Sequence, residues 1–419
     1  MTARKLISLG LIGAGTMALA VPFAAHAEGF VDDAKVSLNL RNFYINRNFT
    51  NPEGPNVRAP QSKAEEWTQS FILDARSGYT PGVVGFGVDA LGMLSVKLDG
   101  GRGTYGTGLL PRHDDGRPAD DYGRVALAAK AKISKTELKV GEWMPVLPIL
   151  RADDGRSLPQ TFRGGQVTSN EIAGLTLYGG QFRQNSTRDS ASIDDMTYGG
   201  GASDRFNFVG GEYKFNGDRT MVGLWGAELK DVYEQQYLQL THSQPIGDWT
   251  LGANLGYFQG DEDGAARAGK LDNKTYSGLF SAKYGSNTFY VGLQKVTGDT
   301  GWMRVNGTSG GTLANDSYNS SYDNAKEKSW QVRHDFNFAG VGIPGLTLMN
   351  RYISGSNVHT ATTDDGKEWG RETELAYVIQ SGTFKNLSMR WRNASLRRDF
   401  NTNEFDENRL IFNYPLSIL

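Results

Sequence analysis

The sequence contains no cysteine, and only five histidines and 13 prolines are present among 419 residues. Without cysteine the fold cannot depend on disulfides, and thiolate metal sites are excluded. After residue 27, no segment approaches the run of 18 or more apolar residues that a membrane-spanning helix needs. The absences therefore exclude a disulfide scaffold, a cysteine-ligated metal protein and a helical membrane protein.

The first 27 residues have the organisation of a secretory signal peptide. A short basic region, Arg4 and Lys5, precedes a long apolar run, and residues 25–27 read Ala-His-Ala, an A-x-A cleavage site. We expect residues 1–27 to be removed and residues 28–419 to form one domain, because no linker-like segment divides them. Export and a net charge of −2 argue against nucleic-acid binding.

Apolar and polar residues alternate through most of the chain, which also contains 53 glycines. In residues 36–41, for example, Val36, Leu38 and Leu40 alternate with polar side chains, and residues 409–418 repeat the pattern. Strict alternation indicates strands with two unlike faces. Roughly 18 such segments follow one another, each near the ~10 residues of a tilted transmembrane strand.

Short turns alternate with longer polar loops, three of which have Asp-Asp-Gly tips, at residues 114–116, 153–155 and 364–366. Short turns at one end and long loops at the other are typical of outer-membrane barrels. In such a barrel the apolar face of each strand contacts lipid, and the charged face lines a watery lumen. The sequence therefore predicts an all-β transmembrane antiparallel β-barrel rather than a soluble repetitive β-protein.

Several distinctive stretches are spread from the first strand to the last, among them GFVDDAKVSLNLRNFYINRNF (29–49), VGFGVDALGMLSVKLDG (84–100), RSLPQTF (156–162) and NRLIFNYPLSIL (408–419). Together they resemble the OprD family of substrate-specific outer-membrane porins. The resemblance implies a barrel of about 18 strands in the outer membrane of a Gram-negative bacterium, with long extracellular loops partly folded into the lumen. It also implies passive uptake of small carboxylates, no cofactor and no enzymatic activity, with membrane lipid and small anionic solutes as partners.

The resemblance further implies a basic ladder along one wall of the lumen. Its expected members come from both ends of the chain: Arg41, Arg47, Arg390, Arg392, Arg397, Arg398 and Arg409. The first and last strands of a closed barrel are neighbours, so these residues would share a wall. Residues 375–398 contain no acidic residue, which predicts cations that are not paired locally. A passing carboxylate would relieve their mutual repulsion, because a guanidinium offers it two parallel hydrogen bonds.

A second feature implied by the resemblance is an inward-folding loop before residues 156–162. Three prolines, at positions 145, 148 and 159, limit its flexibility. By position, Asp154 and Arg156 would stand at the constriction as a carboxylate–guanidinium pair that sets the pore width and contacts substrate. Further substrate-binding candidates come from lumen-facing strand positions and from later loops: Arg333, Arg351, Arg183, Arg188, Asp316, Tyr318 and Asp323.

Two alternative functions stay open. An acidic pocket made by Asp153, Asp154 and Asp316 opposite the ladder would favour a porin of the same family for basic amino acids or peptides. A secreted β-rich enzyme or adhesin would share the signal peptide and the strands. Residues 307–311 match a G-x-S-x-G nucleophile motif, but they lie in a loop rich in Gly, Ser and Asn, not in a strand-to-helix turn. We therefore expect a channel, monomeric or weakly trimeric, for aromatic or hydroxy acids.

Overall fold

The alternating segments form an 18-stranded antiparallel sheet that closes on itself in the computed structural model, which describes residues 29–51 and 61–419. In chain order the elements are β1 (Lys35–Phe49), β2 (Lys63–Arg76), β3 (Val84–Asp99), β4 (Asp121–Ile133), β5 (Thr136–Trp143), β6 (Val146–Leu147), β7 (Leu150–Arg151), β8 (Thr161–Ser169), β9 (Leu175–Ser186), β10 (Met196–Tyr198), β11 (Gly201–Ser203), β12 (Phe206–Phe215), β13 (Thr220–Leu229), β14 (Tyr233–Ile246), β15 (Trp249–Glu262), β16 (Asp272–Tyr284), β17 (Asn287–Thr297), β18 (Lys328–Asn337), a 3-10 helix (Phe338–Val341), β19 (Leu346–Val358), β20 (Gly366–Val378), β21 (Ser388–Arg398) and β22 (Phe405–Ser417). The short hairpins β6–β7 and β10–β11 stand apart from this sheet.

The barrel closes where β1 pairs with both β2 and β22. Closure gives every barrel strand two partners, so no open edge meets lipid. The predicted all-β antiparallel barrel is confirmed. The predicted signal peptide, residues 1–27, lies outside the described residues. Within residues 29–51 and 61–419, no helix has the length and apolar character needed to cross a membrane.

The two faces of the strands separate as the alternation predicts. In β4, Val125 and Leu127 project outward and are 65% and 61% exposed, whereas Ala126 between them is 1% exposed. A large apolar side chain on the outer surface of a soluble protein would be unfavourable, but lipid covers this surface in a membrane barrel. The outward faces therefore carry the apolar surface, and the polar side chains lie inside.

The lumen is divided into two unlike parts. Along β8–β15, inward aromatic side chains such as Phe182, Phe208 and Trp225 pack into a continuous apolar cluster. Two loops contribute to this cluster: loop 144–160 through Leu147 and its neighbours, and loop 298–327 through Trp302 and its neighbours. The cluster anchors both loops inside the barrel, which confirms the predicted inward folding. A cavity of about 880 Å³ remains between these loops and strands β1, β21 and β22.

Candidate functional site

One wall of this cavity is formed by arginines from the strands that close the barrel. Alternation turns six of the predicted residues inward, and all of them line the cavity: Arg41, Arg47, Arg390, Arg392, Arg398 and Arg409. The register of β21 and β22 sets Arg392 directly opposite Arg409. Residues from opposite ends of the chain are thereby brought together on one wall; Arg47, for example, contacts Glu407, 360 positions away in sequence. We call these six residues the arginine wall.

Arg397 is not part of the arginine wall, and its inclusion in the ladder was wrong. It follows Leu396, which is 1% exposed inside the barrel, and successive side chains of a strand point to opposite faces. Its guanidinium donates to both carboxylate oxygens of Asp406, at 2.9 and 3.0 Å, and lies 5.8 Å from the ring centroid of Trp369. Of two consecutive arginines, Arg398 therefore faces the lumen and Arg397 lies on the outer side of the sheet.

The arginine wall is paired with carboxylates, although the sequence predicted that the cations of residues 390–398 are not paired locally. Arg398 donates to Glu368 at 2.7 Å, and Arg392 donates to Glu374. Both glutamates belong to β20, the strand next to β21. Sequence analysis missed these partners because only the register between strands brings them opposite the arginines.

Glu407, on β22, pairs with two arginines of the wall at once. It accepts hydrogen bonds from Arg47 at 2.8 and 3.0 Å and from Arg409 at 2.6 Å, and it is 1% exposed. Charge-assisted bonds of this kind hold each guanidinium in one orientation. A guanidinium has five N–H donors, so pairing leaves donors for a solute in the cavity.

Arg390 is the wall residue with the weakest pairing. Its Nε lies 3.4 Å from Oε1 of Glu374 and makes no hydrogen bond to any described residue. Its side chain is 37% exposed, compared with 16% for that of Arg392. Arg390 therefore offers the cavity its most accessible cation on β21.

The constriction contains the predicted residues but not the predicted pair. Asp154 forms a bidentate ion pair with Arg41, at 2.7 and 3.1 Å, which ties loop 144–160 to β1. Arg156 is buried and donates to the carbonyl oxygens of Thr107, at 2.9 Å, and Gly155, at 2.8 Å. Burial, together with the nearby Arg409 and Arg188 guanidinium groups, lowers the pKa of Arg156. The expected Asp154–Arg156 pair is thus replaced by Asp154–Arg41.

Loop 298–327 covers part of the arginine wall through Tyr318. The guanidinium carbon of Arg392 lies 3.9 Å from the centroid of the Tyr318 ring, which is a cation–π contact. The Tyr318 hydroxyl donates to Glu374 at 2.9 Å, and Arg409 donates to the Tyr318 carbonyl at 3.1 Å. Arg398 also reaches the loop, donating to Ser320 at 2.8 Å. The loop is therefore held by the same guanidinium groups that face the cavity.

Arg351 and Asp316 support this loop. Arg351 is buried, pairs with Glu372 and donates to the Asp316 carbonyl at 2.8 Å. The Asp316 carboxylate accepts a hydrogen bond from Ser321 at 2.6 Å. Burial raises the pKa of Asp316 to about 6. Asp316 lines the cavity and Arg351 lies beside it, and the main contacts of both are with the protein itself.

The remaining candidates lie in three different environments. Arg188 lines the cavity and pairs with Asp153. Arg333 lies in the lumen but lines a neighbouring cavity, and it forms a bidentate pair with Asp335 at 2.6 and 2.7 Å. Arg183 is exposed and pairs with Asp204 at 2.8 Å. The sequence predicted a loop position for Arg183, but it lies in β9 and follows Phe182, which is 0% exposed inside the barrel, so its side chain points away from the cavity.

Sequence analysis missed two arginines that also line the cavity, Arg151 and Arg304. Arg151 ends the small hairpin of loop 144–160, so its membership of an inward loop was a usable signal. Arg304 lies between the buried residues Met303 and Val305, and its Nη1 has no hydrogen-bond partner among the described residues. It lies 3.7 Å from Asp323. Both loops thus add positive charge to the cavity.

Comparisons with known proteins agree with this geometry. A family model described as outer membrane porin, OprD family, matches residues 28–418. The porin-like protein GalP of Pseudomonas putida is 67% identical over 413 residues, which are 98% of each chain. A BenF-like porin from Pseudomonas fluorescens Pf-5 is 72% identical, with a TM-score of 0.91 over 93% of this chain and 100% of its own. Pseudomonas aeruginosa OccK2 in complex with glucuronate is 63% identical, with a TM-score of 0.86 over the same shares.

Proposed function

Because this chain belongs to the OprD family of outer-membrane porins, we propose that it admits small carboxylates along its arginine wall. The family places it in the outer membrane of a Gram-negative bacterium, as predicted. Its relatives are named as porins, which are channels and not enzymes. The relative OccK2, crystallised with glucuronate, supports a carboxylate as the solute.

The observation that carries the proposal is the line of inward guanidinium groups on one wall of a polar cavity. A carboxylate that leaves bulk water needs replacement hydrogen bonds, and a guanidinium supplies two in parallel. Conduction also requires that no site hold the solute too tightly. The carboxylates paired with the arginines weaken the binding of the solute, because Glu374, for example, competes with it for Arg392. The wall therefore attracts an anion and still releases it.

The alternative of a channel for basic amino acids requires an assembled acidic pocket. Of its three proposed members, Asp153 forms an ion pair with Arg188. The Asp316 carboxylate accepts a hydrogen bond from Ser321, and the Asp316 carbonyl oxygen accepts one from Arg351. Only Asp154 combines a position in the cavity lining with a side chain that is 45% exposed, and it already neutralises Arg41. The positive charge of the cavity favours the carboxylate.

Solute flux into liposomes that contain the purified protein tests the proposal. We expect a small carboxylate to enter severalfold faster than its primary amide, which matches it in size but carries no charge. Lysine should enter more slowly than the carboxylate, because it carries an ammonium group toward the arginine wall. Protein-free liposomes give the background. A carboxylate that enters no faster than its amide would contradict the proposal.

The charge of the cavity should also depend on pH through Asp316. Its raised pKa means that the carboxyl is ionised above pH 6 and neutral below it. Losing this negative charge makes the cavity more positive, so anion preference should increase as pH falls from 7 to 5. Asp316→Asn, which is neutral at every pH, should remove this step. Anion selectivity measured in planar bilayers at pH 7 and at pH 5 tests this prediction. The control variant Asp335→Asn, at a carboxyl outside the cavity, should keep the increase in anion preference at low pH.

A further inference from the structure

We propose that the cavity selects, among small carboxylates, those whose body carries hydroxyl groups, and that Asp154 accepts a hydrogen bond from such a hydroxyl. The inference rests on the proposed carboxylate transport and narrows it to a substrate class. The sequence predicted aromatic or hydroxy acids as solutes without choosing between them, and this inference favours acids that carry hydroxyl groups.

The cavity offers little apolar surface to a solute. Its aliphatic and phenylalanine lining residues, Phe43, Ala152, Phe405 and Ile411, are each at most 8% exposed. The ring of Tyr318 is covered by Arg392. An unsubstituted ring gains free energy from burial only where apolar surface receives it. The body of the solute must therefore be recognised by hydrogen bonds.

The rest of the lining supplies hydrogen-bonding groups, and many of them are acceptors. Besides the arginines, the two loops contribute polar side chains that include four carboxylates, those of Asp153, Asp154, Asp316 and Asp323. An ionised carboxylate accepts hydrogen bonds but donates none. The substrate carboxylate has no donor for these groups, whereas a hydroxyl on its body has one. A hydroxylated acid therefore satisfies both the guanidinium donors and the carboxylate acceptors.

Asp154 is the acceptor best placed to use such a donor. Its side chain is 45% exposed, compared with 16% for Asp153 and 22% for Asp323. The bidentate pair with Arg41 fixes the orientation of its carboxylate and neutralises its charge. Each carboxylate oxygen retains a second lone pair for another donor. Neutralisation also means that a passing substrate anion is not repelled by Asp154.

A polar site of this kind discriminates more strongly than an apolar one. When a substrate lacks the hydroxyl, the polar groups lose their water and gain no partner, whereas an apolar pocket rejects an added hydroxyl only weakly. The exposed half of Asp154 keeps some access to water in a channel, so the effect should be smaller than in a closed enzyme site. We expect discrimination of about tenfold.

Two carboxylates with six-membered rings test the inference: glucuronate, which carries hydroxyls, and cyclohexanecarboxylate, which does not. Uptake into liposomes is measured for the wild-type protein, Asp154→Ala and Asp154→Asn, with the primary amide of cyclohexanecarboxylate as an uncharged reference. We expect glucuronate to enter about tenfold faster than cyclohexanecarboxylate through the wild type, and less than about threefold faster through Asp154→Ala. Asp154→Asn, which keeps one acceptor oxygen, should fall between them.

The matched control is Asp335→Asn. Asp335 is also a lumenal carboxylate paired with an arginine, Arg333, but it does not line this cavity. We expect this variant to keep the wild-type ratio. Single-channel conductance reports whether loop 144–160 stays in place in the Asp154 variants, and it should be unchanged in Asp335→Asn.

The outcomes separate the two levels of the proposal. Equal entry of both acids through the wild type, with both faster than the amide, would overturn hydroxyl selection and leave carboxylate transport standing. An unchanged ratio in Asp154→Ala would overturn the role of Asp154. Failure of both acids to exceed the amide would overturn the proposed function itself, and the inference with it.

Discussion

Replacing Arg390 and Arg392 together with alanine is expected to abolish the anion preference of the channel. The double variant removes two positive charges that face the cavity and deprives Glu374 of both its basic neighbours. That carboxylate, which lines the neighbouring cavity, then keeps only the Tyr318 hydroxyl as a partner. The reversal potential in a salt gradient across a planar bilayer should shift from anion selectivity to zero or to cation selectivity.

The same strand provides a matched control in Arg397→Ala. Arg397 has the same charge and a position five residues from Arg392, but it lies on the outer side of the sheet, paired with Asp406. Its removal should leave the reversal potential unchanged. Arg390→Ala alone should produce part of the effect without disturbing loop 298–327, because Arg390 makes no hydrogen bond to that loop among the described residues. Retained anion selectivity in the double variant would remove these arginines from the conduction path.

Glu407→Ala is expected to have the largest effect on stability. The carboxylate is 1% exposed and pairs with Arg47 and Arg409, the latter also 1% exposed. Removing it leaves two enclosed guanidinium groups without their shared counter-charge, which costs about 3–5 kcal/mol in the free energy of unfolding. Urea unfolding of the protein refolded in detergent micelles or lipid vesicles measures this loss.

Asp406→Ala, one residue away, separates the buried pair from a surface pair. Asp406 bonds Arg397 on the outer side and is 48% exposed, so its removal should cost less than about 1 kcal/mol. Glu407→Gln keeps the size of the side chain and should lie between the two. If Glu407→Ala unfolded at the same urea concentration as Asp406→Ala, the buried triad would not stabilise the barrel.

The sequence predicted the barrel and most of the arginine wall because a single rule governs both. Alternation assigns each strand residue to the lumen or to lipid, and closure brings β1 beside β22. The same rule contradicts the placement of Arg397 and Arg398 on one wall, since consecutive residues of a strand face opposite sides. Arg183 was expected in a loop; it lies in β9, where the same alternation turns it outward after the buried Phe182.

The partners of the arginines could not be read from the sequence. Glu368 and Glu374 reach Arg398 and Arg392 only through the register of β20 with β21. Glu407 lies two residues from Arg409 on the same strand face, so this pair was visible in principle. The absence of acidic residues near the arginines in sequence predicted that they are not paired locally, but it carries no information about partners on a neighbouring strand.

The paths of the two loops depend on packing that local sequence does not encode. Trp302, Met303 and Val305 are apolar residues at the start of an otherwise polar loop, and each is at most 6% exposed in the lumenal cluster. Their burial pulls loop 298–327 inward and brings Tyr318 onto the arginine wall. The apolar segment was a signal for an inward loop, but the contact between Tyr318 and Arg392 required the fold.

The most direct test of the central claim is the flux of a carboxylate relative to its primary amide, compared between the wild type and the Arg390→Ala/Arg392→Ala variant in the same liposomes. If guanidinium groups on one wall carry the anion, the wild type should favour the acid severalfold, and the variant should admit acid and amide at similar rates. A variant that keeps the full preference for the acid would contradict transport along the arginine wall.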